Sequence, residues 1–190
     1  MNLKTAIFAG TLALASLPIA GASHAAGRGS GLAGYFPSSH QYPAAYHALP
    51  VRTYRQAANV FAGMNAQLAA RQHFVLGATQ TALGSEVVVT VTLARFRTRD
   101  AAQSFLRRVR PDVVKDGTQV STVLRNLGTG GGQSISGGCA SCGPTAPTFE
   151  QVFFRRGTMF VEVGVQPANL KLAKRLASIV GVKLRHAKGG

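Results

Sequence analysis

The sequence predicts an α+β domain in which three helices pack on a five-stranded, mostly antiparallel sheet, in the chain order α-β-β-α-β-β-β-α. Three observations carry this prediction. After Glu86, one face of a predicted half-buried strand carries Val87, Val89, Val91 and Leu93, and the other face carries Thr90, Thr92 and Ala94. Residues 98–110 follow with an apolar stripe at helical spacing. Residues 149–165 contain two strand-like runs joined at Arg156-Gly157, which is typical of an antiparallel hairpin.

Residues 1–25 are predicted to be a signal peptide outside the folded domain. A lysine near the start precedes the short, uncharged apolar run Ala6–Ile19, which Pro18 interrupts. Ser23 and Ala25 place small residues at the positions that a cleavage site after Ala25 requires. The apolar run is short for a membrane span. We therefore expect a secreted or periplasmic protein with no transmembrane anchor after cleavage.

The next segment, residues 26–50, differs in composition from the rest of the chain. It is rich in glycine, proline, serine, tyrosine and histidine, and its apolar residues follow no period. This composition predicts a flexible arm. Its aromatic residues could dock on a partner, or they could be incidental to a disordered segment. We expect one domain over residues 51–186 and a frayed tail over residues 187–190.

The first half of the domain is predicted to be a helix and a hairpin. Apolar residues at three- and four-residue steps predict a helix over Tyr54–Arg71, with Phe61 and Met64 in the core. Phe74–Leu83 is a predicted strand that a short turn joins to the strand of residues 86–94. The helix that follows begins after Thr98, a residue suited to an N-cap.

The centre of the core is predicted to lie between this strand and this helix. Val89 and Val91 share one face of the strand, and Phe105 lies on the apolar stripe of the helix. We expect that strand face to be buried against Phe105.

The second half of the domain is predicted to be one strand, a loop, a hairpin and a final helix. The strand covers residues 118–127, and the glycine-rich loop covers residues 128–148. After the hairpin of residues 149–165, Asn169–Leu184 is a predicted amphipathic helix. This element order is similar to that of small exported bacterial α/β domains such as PsbP-like proteins and sensor ectodomains. The resemblance is one of architecture and implies no functional residues.

The charge composition limits the chemistry that the chain can perform. Twenty-one lysine and arginine residues face only six aspartate and glutamate residues, which gives a formal net charge of +15. Glycosidases and two-metal enzymes need several converging carboxylates, so this scarcity weighs against both classes. The five histidines form no spaced pair on one helix. The sequence therefore predicts no catalytic residues, no metal ligands and no cofactor.

Cys139 and Cys142 are the sharpest chemical feature, and in an exported protein a local disulfide is the expected state. A redox-active or metal-binding pair is the alternative. A redox pair of this spacing normally opens a helix, whereas glycines flank this one, and a zinc site needs four ligands. The surrounding loop lacks the Gly-Lys-Ser/Thr ending of a phosphate-binding loop. It is either a linker or a site of unknown kind.

The arginines around the central helix give the leading hypothesis for function. Arg95, Arg97, Arg99, Arg107 and Arg110 are predicted to form a basic surface, with Asp100 as the one acid among them. This surface either binds a partner or is a solvated face that keeps the protein soluble. Arginine suits bidentate contact with sulfate, phosphate and carboxylate groups. We expect a non-enzymatic binding or structural domain that contacts polyanions without sequence specificity, such as a cell-envelope polymer, an acidic glycan or extracellular nucleic acid. The alternative is a thiol-disulfide or metal-binding protein that acts through Cys139 and Cys142. The sequence leaves the oligomeric state open.

Overall fold

The structure is a computed structural model, and it describes residues 31–109, 120–124, 126–129, 132–137 and 148–186. Four predictions fall wholly outside these residues: the signal peptide of residues 1–25, the position of Arg110, the Cys139–Cys142 disulfide, and the tail of residues 187–190. They stay predictions.

Three helices and eight strands are found in the described part of the chain. The helices are α1 (Gly63–Arg71), α2 (Arg99–Arg108) and α3 (Leu170–His186). The strands are β1 (His47–Ala48), β2 (Arg52–Tyr54), β3 (Phe74–Leu83), β4 (Val88–Phe96), β5 (Val120–Leu124), β6 (Gly132–Gly137), β7 (Phe149–Arg156) and β8 (Met159–Gln166). Short 3-10 turns cover Leu32–Tyr35, Ser39–Gln41 and Ala57–Asn59.

The strands form one antiparallel sheet in the order β1-β3-β4-β8-β7-β6-β5, and β2 also pairs with β3. The predicted α+β class and the predicted antiparallel pairing are confirmed. The predicted number of five strands is wrong for the described residues, because β1, β2 and β6 add to the sheet. The two predicted hairpins, β3-β4 and β7-β8, lie side by side at its centre.

One face of the sheet, called the aliphatic face below, is packed mainly with valine and leucine. Its core includes Val89, Val91 and Leu93 of β4 and alternate residues of β8. Helix α3 covers this face with Leu172, Leu176 and Val180, among others, as its spacing predicted. Lys171, Lys174 and Arg175 on the outward side of α3 are exposed.

The opposite face, called the aromatic face below, is packed with phenylalanine. The ring of Phe105 on α2 lies 4.9 Å from each of the rings of Phe61, Phe96 and Phe160. The expected burial of Val89 and Val91 against Phe105 is therefore wrong. Because β4 alternates, Ala94 and Phe96 meet α2, while the valines point to the other side of the sheet.

The segment of residues 31–50 packs on the aliphatic face instead of extending as a flexible arm. Leu32, Phe36 and Tyr42 are buried in the same core as α3. The Tyr42 hydroxyl donates a hydrogen bond to Gln80 Oε1 at 2.9 Å, and burial raises the pKa of Tyr42 above its ordinary value. Lys183 Nζ donates to the Phe36 carbonyl oxygen at 2.6 Å. Leu32, Phe36 and Tyr42 thus anchor this segment, although its apolar residues follow no period.

Helix α1 begins at Gly63 and not at Tyr54. Residues 52–54 pair with β3 as an edge strand, and Gly63 has a φ of +50°, which a continuous right-handed helix does not accept. Phe61 precedes the helix and enters the aromatic core. Met64 was expected in that core, but it is 71% exposed.

Strand β6 lies within the segment that was predicted to be a loop. It pairs with β5 and β7, and Ile135 enters the aromatic core. Its glycines permit close packing: a Cβ on Gly132 would lie 2.6 Å from the Phe153 carbonyl oxygen, and one on Gly137 would lie 2.5 Å from the Phe149 ring. The glycines that indicated a linker are therefore the residues that let β7 approach.

Candidate polyanion-binding surface

The end of strand β4 places two of the predicted arginines. Arg95 pairs with Met159 of β8, and the Arg97 amide donates to the His73 carbonyl oxygen at 3.1 Å. The Phe96 amide between them donates to the Thr158 carbonyl oxygen at 3.0 Å. The backbone is thus held from both sides, while the side chains of Arg95 and Arg97 are exposed.

Helix α2 presents the next arginines to solvent. Thr98 caps the helix as predicted, since its side chain accepts a hydrogen bond from the Ala101 amide at 3.1 Å. Asp100 lies in the first turn, and Arg107 and Arg108 lie in the last, an order that complements the helix dipole. The buried stripe of Ala101, Ala102 and Phe105 fixes the rotation of the helix.

Arg99 and Arg107 are both exposed on α2, as predicted. They are eight residues apart, which corresponds to about 12 Å along the helix axis. The two arginines are thus about two helical turns apart.

Gln103 lies between these two arginines in sequence, and the structure gives it a partner that sequence reasoning missed. Gln103 Oε1 accepts a hydrogen bond from Arg155 Nε at 2.8 Å. Arg155 also donates from Nη1 to the Gly157 carbonyl oxygen at 2.9 Å. The guanidinium of β7 is thereby held beside α2. The adjacent Arg155 and Arg156 at the hairpin turn could have indicated further basic residues near the site. Only the packing of α2 across β7 shows that Arg155 is the one that reaches the helix.

The predicted arginines do not form one flat patch. Arg95 lies in register with Met159 on the aliphatic side of the sheet, whereas α2 packs on the aromatic side. Arg99 and Arg107 lie on α2, and Arg97 lies between β4 and that helix. The structure thus exposes Arg99 and Arg107 along α2, with Arg97 before the helix and Arg95 on the other side of the sheet; Arg110 is outside the described residues.

Buried carboxylates are few in the described part of the chain. Glu150 is 2% exposed, and it accepts a hydrogen bond from Ser136 at Oε2 while its Oε1 has no partner. No group of three or more histidine, cysteine, aspartate and glutamate residues that could hold a metal ion occurs among the described residues.

A groove of about 530 Å³ lies between α1 and the chain that follows β2. Alanine side chains make up half of the lining residues, and the others are Phe74, Arg55, Gln56 and Gln67. Ligand sites combine an apolar lining with polar groups that converge on the ligand. No buried polar atom without a partner lines this groove in the described residues, and it gives no specific ligand chemistry.

Comparison with known proteins gives information on the fold. No protein-family model matches the chain, and no curated protein matches it significantly. A solved structure described as the extracellular domain of PknH from Mycobacterium tuberculosis is similar, with a TM-score of 0.55 and 11% sequence identity. The similarity covers 80% of this chain and 93% of that chain. At this identity it shows a common fold and carries no residue roles. The helices described here include none long and apolar enough to span a membrane.

Proposed function

We propose that this chain is an exported, basic, non-enzymatic domain that binds polyanions through the surface of α2. An exported protein of this kind would work in the periplasm or outside the cell, where it meets cell-envelope polymers, acidic glycans or nucleic acid. The predicted signal peptide and the fold shared with an extracellular domain support this location.

The observation that carries the proposal is the exposure of Arg99 and Arg107 on α2 and of Arg97 just before that helix. The aromatic core fixes the rotation of α2, so Arg99 and Arg107 cannot turn inward without removing Phe105 from its ring contacts. Asp100, in the first turn, is the one acidic residue between Arg95 and Arg108. A surface with this charge excess attracts polyanions over a range set by the ionic strength.

Binding of this kind is expected to be insensitive to sequence and strongly dependent on salt. Arginine contacts with sulfate or phosphate groups displace counterions from the polymer, and added salt opposes that release. The planar guanidinium also allows bidentate contact with each group. Thiol-disulfide or metal chemistry at Cys139 and Cys142, which lie outside the described residues, stays the alternative prediction.

Chromatography on immobilised heparin and on DNA tests the proposal. An Arg99→Gln, Arg107→Gln, Arg110→Gln variant should elute from both columns at a lower salt concentration than the unmodified protein. A matched variant, Lys171→Gln, Lys174→Gln, Arg175→Gln, removes three exposed charges from α3. It should elute at a higher salt concentration than the α2 variant. Equal elution of the two variants would show that net charge alone determines retention.

Intact-mass analysis of the exported protein tests the proposed location. We expect a mature chain that begins at Ala26 or Gly27. A chain that retains residues 1–25 would contradict export by signal cleavage.

A further inference from the structure

A second group of arginines lies at the end of the sheet on the aliphatic side, away from α2. Arg156 of β7 and Arg95 of β4 both pair with Met159 of β8, so all three residues lie in one row across the sheet. Met159 is buried in the aliphatic core, which places the two arginine side chains on the same face. Neighbouring strands are about 4.8 Å apart, so the two Cα atoms are separated by about 10 Å.

The C-terminal end of α3 adds a third arginine to this row. Helix α3 lies against β7 at Gly181, where a Cβ would be in ordinary contact with the Phe154 ring at 3.6 Å. Arg185 follows one helical turn later, and Arg156 follows Phe154 by two residues on the same strand face. Burial and then the positive charge of Arg185 lower the pKa of Arg156 below its ordinary value.

The guanidinium of Arg156 is incompletely bonded. Its Nη2 donates to the Gly128 carbonyl oxygen at 3.4 Å, the long end of hydrogen-bond distances. Its Nε is buried and has no partner. Two like charges that repel each other, one of them with a buried N–H unsatisfied, cost free energy unless an anion offsets them.

No carboxylate of the described residues is placed to balance these charges. Glu150 is at the other end of β7, about 20 Å from Arg156 along the strand. Glu86 precedes the far end of β4. Glu162 accepts from Gln151 on the opposite face, and Asp100 lies on α2. The row is therefore a concentration of positive charge without an internal counterion in the described residues.

We propose that Arg156 and Arg185 form a discrete site for one tetrahedral oxyanion, a sulfate or phosphate group, with Arg95 able to contact it across Met159. The group is either a free ion or part of a sulfated or phosphorylated polymer. The site extends the proposed function, on which it rests for its choice of an anionic ligand, but it uses residues separate from those on α2.

Thermal unfolding in sodium sulfate, sodium phosphate and sodium chloride of equal ionic strength tests the free-ion form. Sulfate or phosphate should raise Tm in a saturable manner beyond the effect of chloride. An Arg156→Gln, Arg185→Gln variant should lose most of this increment, and its apparent affinity for the ion should fall at least tenfold. If all three salts have the same effect on the unmodified protein, the arginines are only screened, and the free-ion form is wrong.

The polymer form is tested by titration with a heparin tetrasaccharide. If simple ions have no specific effect, the tetrasaccharide should still bind, and the Arg156→Gln, Arg185→Gln variant should weaken that binding at least tenfold. Equal binding by variant and unmodified protein in both arms would overturn the site. The single Arg185→Gln variant, which changes an exposed residue, keeps the test valid if the double variant does not fold.

Two further variants separate this site from the α2 surface. Arg99→Gln, Arg107→Gln should leave the sulfate increment unchanged, whereas Lys174→Gln, Arg175→Gln should leave both the increment and tetrasaccharide binding close to those of the unmodified protein. Loss of the increment in either variant would show that sulfate responds to overall charge and not to the Arg156–Arg185 pair. If the α2 variant elutes from the heparin and DNA columns at the same salt concentration as the unmodified protein, the proposed function is wrong. The sulfate increment in Tm still tests the Arg156–Arg185 site in that case.

Discussion

The two faces of the sheet are packed by different chemistry. The aliphatic face joins valines of β4 and β8 to α3 and to the anchored segment of residues 31–50. The aromatic face joins phenylalanines from five separate places in the chain around Phe105 of α2. The first face depends on regular alternation along strands, and the second depends on a few large side chains.

This difference explains how the basic surface is held in place. Aromatic pairs with offset or edge-to-face geometry stabilise a packing beyond their buried area, and they fix the orientation of the rings. Phe105 contacts three other rings, and together with the buried Ala101 and Ala102 it fixes the rotation of α2. The arginines on its outward side are exposed as a consequence.

A buried charge on the aliphatic face is the most severe test of the comparison. Val91 is fully buried, so Val91→Asp should abolish folding, because an isolated carboxylate cannot be accommodated there. Thr90→Asp changes the neighbouring residue, which is half-buried on the other face. It should leave a folded protein, as judged by circular dichroism and thermal unfolding. Similar loss of structure in both variants would contradict the assignment of strand faces.

Truncation of the central ring tests the aromatic face. Phe105 is fully buried, and Phe105→Ala should reduce the free energy of unfolding by about 3–5 kcal/mol. Leu106→Ala alters a partly buried neighbour at the edge of the same core and should cost less. Urea unfolding of the two variants gives the comparison. Equal costs would mean that Phe105 is not the centre of this core.

The strand alternation and the helix spacing made the centre of the fold predictable from sequence. Both hairpins, the cap at Thr98 and the inward residues of α3 follow from local patterns. The residues that pack against Phe105 could not be predicted in the same way. The sheet is covered on both faces, and the local pattern of a helix does not show which face it covers. The anchored segment of residues 31–50 was missed because its buried residues have no period, and β6 was missed because its glycines resemble those of a linker.

Enlarging a glycine tests why β6 belongs to the sheet. Gly132→Ala should reduce the free energy of unfolding by about 1–3 kcal/mol, because the new Cβ meets a backbone oxygen that cannot move aside easily. Gly164→Ala in β8 is the matched change, and its Cβ would meet its nearest neighbour at an ordinary 3.9 Å. Denaturant unfolding should show a smaller cost for Gly164→Ala or a gain. The reverse order would contradict the close approach of β6 and β7.

Removal of one hydroxyl tests the anchored segment on the aliphatic face. Tyr42→Phe deletes the donor to Gln80 Oε1 and should reduce the free energy of unfolding by about 1 kcal/mol. Tyr35→Phe removes a hydroxyl from a partly buried residue of the same segment and serves as the control. Stability that is unchanged in Tyr42→Phe would show that this hydrogen bond does not anchor residues 31–50.

The candidate surface was predictable in part. The helical spacing of Arg99 and Arg107 was enough to place them outward, because the apolar stripe of α2 is unambiguous. The contact of Gln103 with Arg155 and the row of Arg95, Arg156 and Arg185 depend on strand register and on where α3 ends. Those features join residues that are distant in the chain, and no local pattern reports them.

The salt dependence of DNA binding tests the central claim most directly. The dissociation constant of the mature protein for a short duplex is measured at several salt concentrations, for the unmodified protein, for Arg99→Gln, Arg107→Gln, and for Lys174→Gln, Arg175→Gln on α3. If α2 contacts the phosphates, the slope of log K against log salt should fall by about two in the α2 variant, since about 0.9 counterions are released per contact. The slope of the α3 variant should stay close to that of the unmodified protein. Equal slopes for all three proteins would contradict the account.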